Sequence, residues 1–194
     1  MIKNDTEWLD SYLTEFNGKI NPNNSLTFIE FKEELLKVKS NNSKVILFGN
    51  GASNTIADHA SIDFTNLIGL KCISLNSSGL LTAFSNDFGY DRVLERYLYF
   101  NLDKNDLLVL ISSSGESPNV INGATFANEK GNKIVTFTGF KESNTLKSKG
   151  DINFWVNSTN YNIVESIHNL WIVTLAEIIA KDNKNIGKHG ISHE

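Results

Sequence analysis

The sequence predicts an α/β protein: a doubly wound, parallel five-stranded sheet flanked by helices on both sides, preceded by an N-terminal helical pair. Three observations predict it. Five short runs, "KVILF", "KCISL", "DLLVLIS", "KIVTFTG" and "INFWV", are nearly continuous in apolar residues. Strands covered on both faces read that way, whereas strands with one wet face alternate. Stretches with helical spacing separate the runs, and strand–helix alternation makes a parallel sheet. No repeat, low-complexity tract or linker interrupts the pattern. One domain therefore accounts for residues 1–194, with helices over 1–40, an α/β core over 44–181 and a polar tail over 182–194.

Residues 5–17 place Trp8, Leu9, Tyr12, Leu13 and Phe16 at helical spacing. Pro22 and three asparagines then break the pattern. Ser25 is suited to cap a second helix, whose apolar stripe is Leu26, Ile29, Phe31, Leu35, Leu36 and Val38. The first strand, 45–48, ends in Gly49-Asn50-Gly51, and a helix follows from about 53 to 67. "KCISL" is a second strand. "LLTAFSNDFGYDRVLERYLYF" reads as two short helical pieces broken near Asn86. The third strand, "DLLVLIS", runs into "SSGES". Pro118 suits the first turn of a helix, having no N–H to leave unpaired. That helix ends at Lys130-Gly131, and strands at "KIVTFTG" and "INFWV" precede a long apolar helix over 161–181.

Composition narrows the function. The net charge of −4 gives no basic surface for nucleic acid or acidic lipid. The single cysteine, Cys72, lies in an apolar run and reads as core. The lack of a disulfide framework suits a reducing compartment. The N-terminus has no apolar signal core and the chain shows no spanning run. A cytoplasmic protein is the expectation, with neither nucleic acid nor membrane as a partner.

Ligands of open parallel sheets sit beyond the carboxyl ends of the strands. Two loops leave strands at that edge, "GNGASN" and "SSSGES", and both run into helix N-termini. Exposed N–H groups and the positive end of a helix favour an anion there, and serine hydroxyls add donors. Either loop alone could be a tight turn with a serine cap. Two at one edge point to a phosphate. Neither has the spacing of a nucleotide P-loop or a dinucleotide fingerprint, so no nucleotide cofactor is expected.

"ISSSGESPNV" resembles the sugar-phosphate loop of the sugar isomerase (SIS) domain family. "GNGAS…ADHASID" and "LLTAFSNDFGYDRVLERYL" resemble its bacterial phosphoheptose isomerases, and the similarity spans about residues 45–180. The resemblance implies the flavodoxin-like SIS fold and a homotetramer with active sites at subunit interfaces. It implies a sugar phosphate as ligand, and conversion of sedoheptulose 7-phosphate to D-glycero-D-manno-heptose 7-phosphate, or of a related sugar phosphate, for surface polysaccharide. Position by position, it places substrate contacts on Asn50, Gly51, Ala52 and Ser53, phosphate contacts on Ser112, Ser113, Ser114 and Ser117, and sugar contacts on Asn86 and Asp87. His59 becomes a zinc ligand or substrate contact.

Two departures bear on catalysis. The family's acid/base glutamate is Asp63 here, and the family's glutamine and histidine on the last helix are Glu165 and Val173. His59 and Asp63, at i and i+4, still share a helix face. Valine can neither ligate a metal nor carry a proton. The catalytic candidates are therefore Asp63, Glu165 and His59. The same three form a nitrogen-and-two-oxygen set acceptable to zinc, or else hydrogen-bond sugar hydroxyls. His168 is expected to be buried and hydrogen-bonded. His189 and His193 either supply the missing imidazole or belong to a loose tail. The functional alternatives are an isomerase and a non-catalytic SIS protein that binds a sugar phosphate or regulates, as the type that associates with a replication initiator does.

Overall fold

The computed structural model describes residues 2–21 and 25–181. Strands β1 (Lys44–Gly49), β2 (Lys71–Ser74), β3 (Leu107–Ser112), β4 (Lys133–Thr138) and β5 (Ile152–Trp155) form one sheet in the order β2-β1-β3-β4-β5. Every neighbouring pair is parallel. The α-helices are α1 (Ile2–Lys19), α2 (Leu26–Ser40), α3 (Ala52–Asp63), α4 (Ser78–Phe88), α5 (Val93–Asn101), α6 (Pro118–Lys130) and α7 (Tyr161–Ala180). This is the doubly wound, flanked sheet that the apolar runs predict, with the helical pair ahead of it.

The strands are apolar throughout because alternate residues enter different cores. Val45 and Leu47 of β1 and Val109 and Ile111 of β3 join a cluster with α2, α3 and α7. Ile46, Phe48, Leu108 and Leu110 enter a second cluster with α5 and α6. All eight are buried, and each such side chain contributes about 1.5–3 kcal/mol relative to an exposed one.

Several details depart from the sequence expectation. Ser25 precedes α2 in helical conformation and makes no side-chain cap. Its carbonyl instead accepts from the Phe28 N–H at 3.2 Å. The helix after β1 does not run on regularly to 67. It changes at Phe64–Ile68 into a wider π turn that keeps both Phe64 and Ile68 fully buried. The break in the "NDFGY" stretch falls at Gly89, not near Asn86. The Asn86 amide donates to the Asp87 carboxylate at 2.9 Å, so it does not compete for the helix backbone. α7 has the length and hydropathy of a membrane span, but half of it is buried. Ile163, Ile167, Trp171 and Leu175 pack into the first core. Pro22 and the tail histidines His189 and His193 lie outside the described residues.

Candidate active site

β1 and β3 lie side by side, and the chain leaves them on opposite faces. α3 packs into one core and α6 into the other. The two loops diverge at this point, and a crevice opens between them at the carboxyl edge.

The first loop is shaped by its glycines. Gly51 takes φ 55° and ψ −125°, which a side chain would strain. A Cβ on Gly49 would meet the carbonyl carbon of Ser53 at 2.7 Å. The chain therefore turns tightly into α3, with Ser53 N–H donating to Asn50 O at 3.1 Å and Asn54 N–H to Gly51 O at 3.0 Å. Gly51 and Ala52 precede these bonds, where a helix N-terminus leaves N–H groups open. The Asn50 side chain faces the protein. It exchanges two amide hydrogen bonds with Asn119, at 2.9 and 2.8 Å, and accepts from the Tyr90 hydroxyl at 2.8 Å. Asn119 is buried in the first turn of α6. The two loops are thus bolted together by a side-chain pair.

The serine loop follows β3. Ser112 and Ser113 are buried. The Ser112 hydroxyl donates to Ser117 Oγ at 3.3 Å, and Ser113 donates to Glu165 Oε1 at 3.3 Å. Ser112, Ser113, Ser114, Ser117, Asn50, Ser53, Tyr161 and Glu165 line a cleft of about 100 Å³. Glu116 turns to Thr145, whose N–H and hydroxyl bond its two carboxylate oxygens at 2.9 and 2.7 Å. The Thr145 hydroxyl and N–H hold the Glu116 carboxyl below its usual range. A larger depression, about 560 Å³, lies at the other end of the strands around Lys104, Asp106 and Lys130. That is the wrong edge for the ligand of a doubly wound sheet.

α7 brings a second group of polar side chains alongside α3. His59 Nδ1 lies 3.2 Å from Asn169 Oδ1, and its Nε2 lies 3.4 Å from Asp63 Oδ2. Val173, one turn beyond Asn169, packs against the first core. Glu165 stands one turn before Asn169, about 6 Å along the axis, and bonds Ser113 instead of joining His59 and Asp63. Among the described residues no three His, Cys, Asp or Glu side chains converge on a metal position. The zinc set His59, Asp63 and Glu165 is not assembled within one chain. Asn86 and Asp87 are exposed and lie outside the serine cleft.

His168 is fully buried, with Nε2 at 2.9 Å from Thr138 O. Burial pushes its pKa down to about 4, against the raising effect of that backbone bond. Cys72 is also shielded, and burial raises its thiol to about 12. Asn119, Tyr90, Asn169 and Thr145 are polar partners that sequence reasoning missed. Tyr90 belongs to the "NDFGY" stretch already noted, which was its only signal.

Residues 18–139 match the family model described as SIS domain, well over half of the chain. The chain belongs to the SIS domain family. Within SIS proteins it groups with the phosphoheptose isomerases. It is 37% identical to the one from Aliarcobacter butzleri over 145 residues, 72% of this chain and 76% of that protein. It is 34% identical to the one from Buchnera aphidicola over 163 residues, 80% and 84% of the two chains. The fold matches the solved SIS structure of the phosphoheptose isomerase GmhA from Neisseria gonorrhoeae with a TM-score of 0.85. The match has 23% identity and covers 93% of this chain and 100% of that one.

Proposed function

We propose that the chain is an aldose–ketose isomerase of phosphosugars, acting on sedoheptulose 7-phosphate or a related sugar phosphate and supplying surface polysaccharide synthesis in the cytoplasm. The observation that carries this reading is the cleft where two loops meet at the sheet's switch point. Five serines line it, and the N-termini of α3 and α6 approach it. Helix N-termini and hydroxyl donors suit a phosphate dianion. The relatives' shared name, phosphoheptose isomerase, supports the substrate class.

The reaction moves one proton from C1 of the ketose to C2 and another between the two oxygens, with no net change in atoms. A carboxylate within reach of both carbons serves as the carbon base. We assign that role to Asp63, beside His59. The Asn169 carbonyl accepts from His59 Nδ1–H, which leaves Nε2 toward Asp63. His59 and Glu165 then handle the hydroxyl protons. Val173 takes no part.

The cleft is small, about 100 Å³, and half open to solvent. The remaining walls come, in this reading, from other copies of the chain in a homotetramer. α4 supports it, being apolar in sequence yet without one buried residue.

The test is turnover of sedoheptulose 7-phosphate. Asp63→Asn is expected to lower kcat by about 100-fold or more, the scale of a misplaced or lost proton-transfer group, while calorimetry still detects sugar-phosphate binding. Full turnover by that variant would remove Asp63 from the mechanism. A wild type that binds but never converts any phosphosugar would make the chain a binding protein.

A further inference from the structure

We propose that Asn144, outside the cleft, is a positioning residue that sets the phosphate grip of the serine loop. The inference deepens the isomerase reading and rests on it for the identity of the sugar.

Gly115 forms the tip of the serine loop with φ +69°, and a Cβ there would come within 2.1 Å of Asn144 Oδ1. Asn144 is 1% exposed. Its Nδ2 donates to Lys141 O at 2.8 Å and to Thr138 Oγ1 at 3.2 Å, and its Oδ1 accepts from Lys147 N–H at 2.9 Å. These bonds fold residues 138–147 into a strap beneath the loop. From the strap, Gly139 N–H donates to Ser113 O and Leu146 N–H to Gly115 O, each at 2.9 Å. Thr145 fastens both oxygens of Glu116.

Two carbonyls and one carboxylate are thus tied to the strap. Each would repel a phosphate dianion if it faced one. With these acceptors engaged, the hydroxyl side of the loop lines the cleft. No residue of the strap itself lines it. The strap therefore acts on the ligand only through the shape of the loop, and its effect falls on affinity, not on the proton transfers.

Asn144→Ala and, separately, Thr145→Val test this in the full chain. Inorganic phosphate is the calorimetric probe, and sedoheptulose 7-phosphate turnover is followed in parallel. For Asn144→Ala, the phosphate Kd and the KM are expected to rise about tenfold, the equivalent of one charge-assisted hydrogen bond. For Thr145→Val a rise of about threefold is expected, smaller because the Thr145 N–H still holds the other carboxylate oxygen of Glu116. In both, kcat stays within about twofold, because an interaction made equally in ground and transition states leaves kcat unchanged. A folded Asn144→Ala protein with unchanged phosphate affinity overturns the proposal, as does a fall in kcat at constant KM. Should Asn144→Ala not fold, unchanged phosphate affinity in Thr145→Val overturns it. Failure of the isomerase reading looks different: no turnover in the wild type, with phosphate affinity still dependent on Asn144. A wild type that binds no phosphate overturns both.

Discussion

Asn169 holds the His59 ring from α7, and Asp63 meets the ring's other nitrogen. The fit of this trio depends on one amide at 3.2 Å. Asn169→Leu leaves the imidazole free to turn. It is expected to lower kcat roughly 10-fold to 100-fold with little change in KM, since misorientation of a proton carrier acts on the chemical step. An unchanged kcat would show that the ring needs no such holder. The place of the serine loop at the sheet edge was legible in the sequence because small hydroxyl residues follow a buried apolar strand, a pattern that taken alone also fits a capped turn. Asn169 and Asn119 were not. An asparagine on a helix carries no local mark of its partner, and both of these bond residues far away in the chain.

α7 is anchored to the sheet through His168 and Thr138. Burial of the His168 ring makes stability depend on pH in a defined window. His168 titrates at about 4 when folded, against 6.5 as its ordinary value. Between those values the unfolded chain carries a proton that the folded chain excludes. The contribution is complete above pH 6.5, falls as the pH drops toward 4, and amounts to something on the order of 3 kcal/mol. Melting curves across that range should show the loss, and His168→Gln should flatten the part due to this group. An identical slope in the variant would assign the dependence to carboxylates instead. At this scale element types were more legible than their boundaries. Gly131 and Pro118 marked the ends of α6 because their backbone chemistry allows little else. The π turn at Phe64–Ile68 had no such marker, because it follows from fitting two large side chains into one core.

The described chain leaves much apolar surface uncovered. Phe88 is 43% exposed and Phe100 65%, and Arg96 lies over the Phe88 ring at 4.2 Å. Trp8, at 64%, stacks on Tyr12 along α1. Exposed apolar groups gathered this way mark contact surfaces. With the proposed homotetramer as the assembly, light scattering should report four chains. The pair Phe88→Ser and Phe100→Ser should yield smaller species that keep their circular dichroism and lose turnover. Tetramers that persist in the double variant would place the interface elsewhere. The doubly wound architecture was visible in five apolar runs, since a sheet buried on both sides admits no other pattern. The gathering of His59, Asp63 and Glu165 expected from the family resemblance does not form within one chain, because α7 aligns Asn169 rather than Glu165 with His59.

The lock on Asn50 also bears on chemical ageing. Asparagine followed by glycine is prone to ring closure through the next main-chain nitrogen, with loss of ammonia. Here the amide is clamped by Asn119 and Tyr90. Loosening that clamp would both expose the Asn50-Gly51 bond to succinimide formation and, once aspartate results, set a permanent negative charge at the mouth of the proposed anion site.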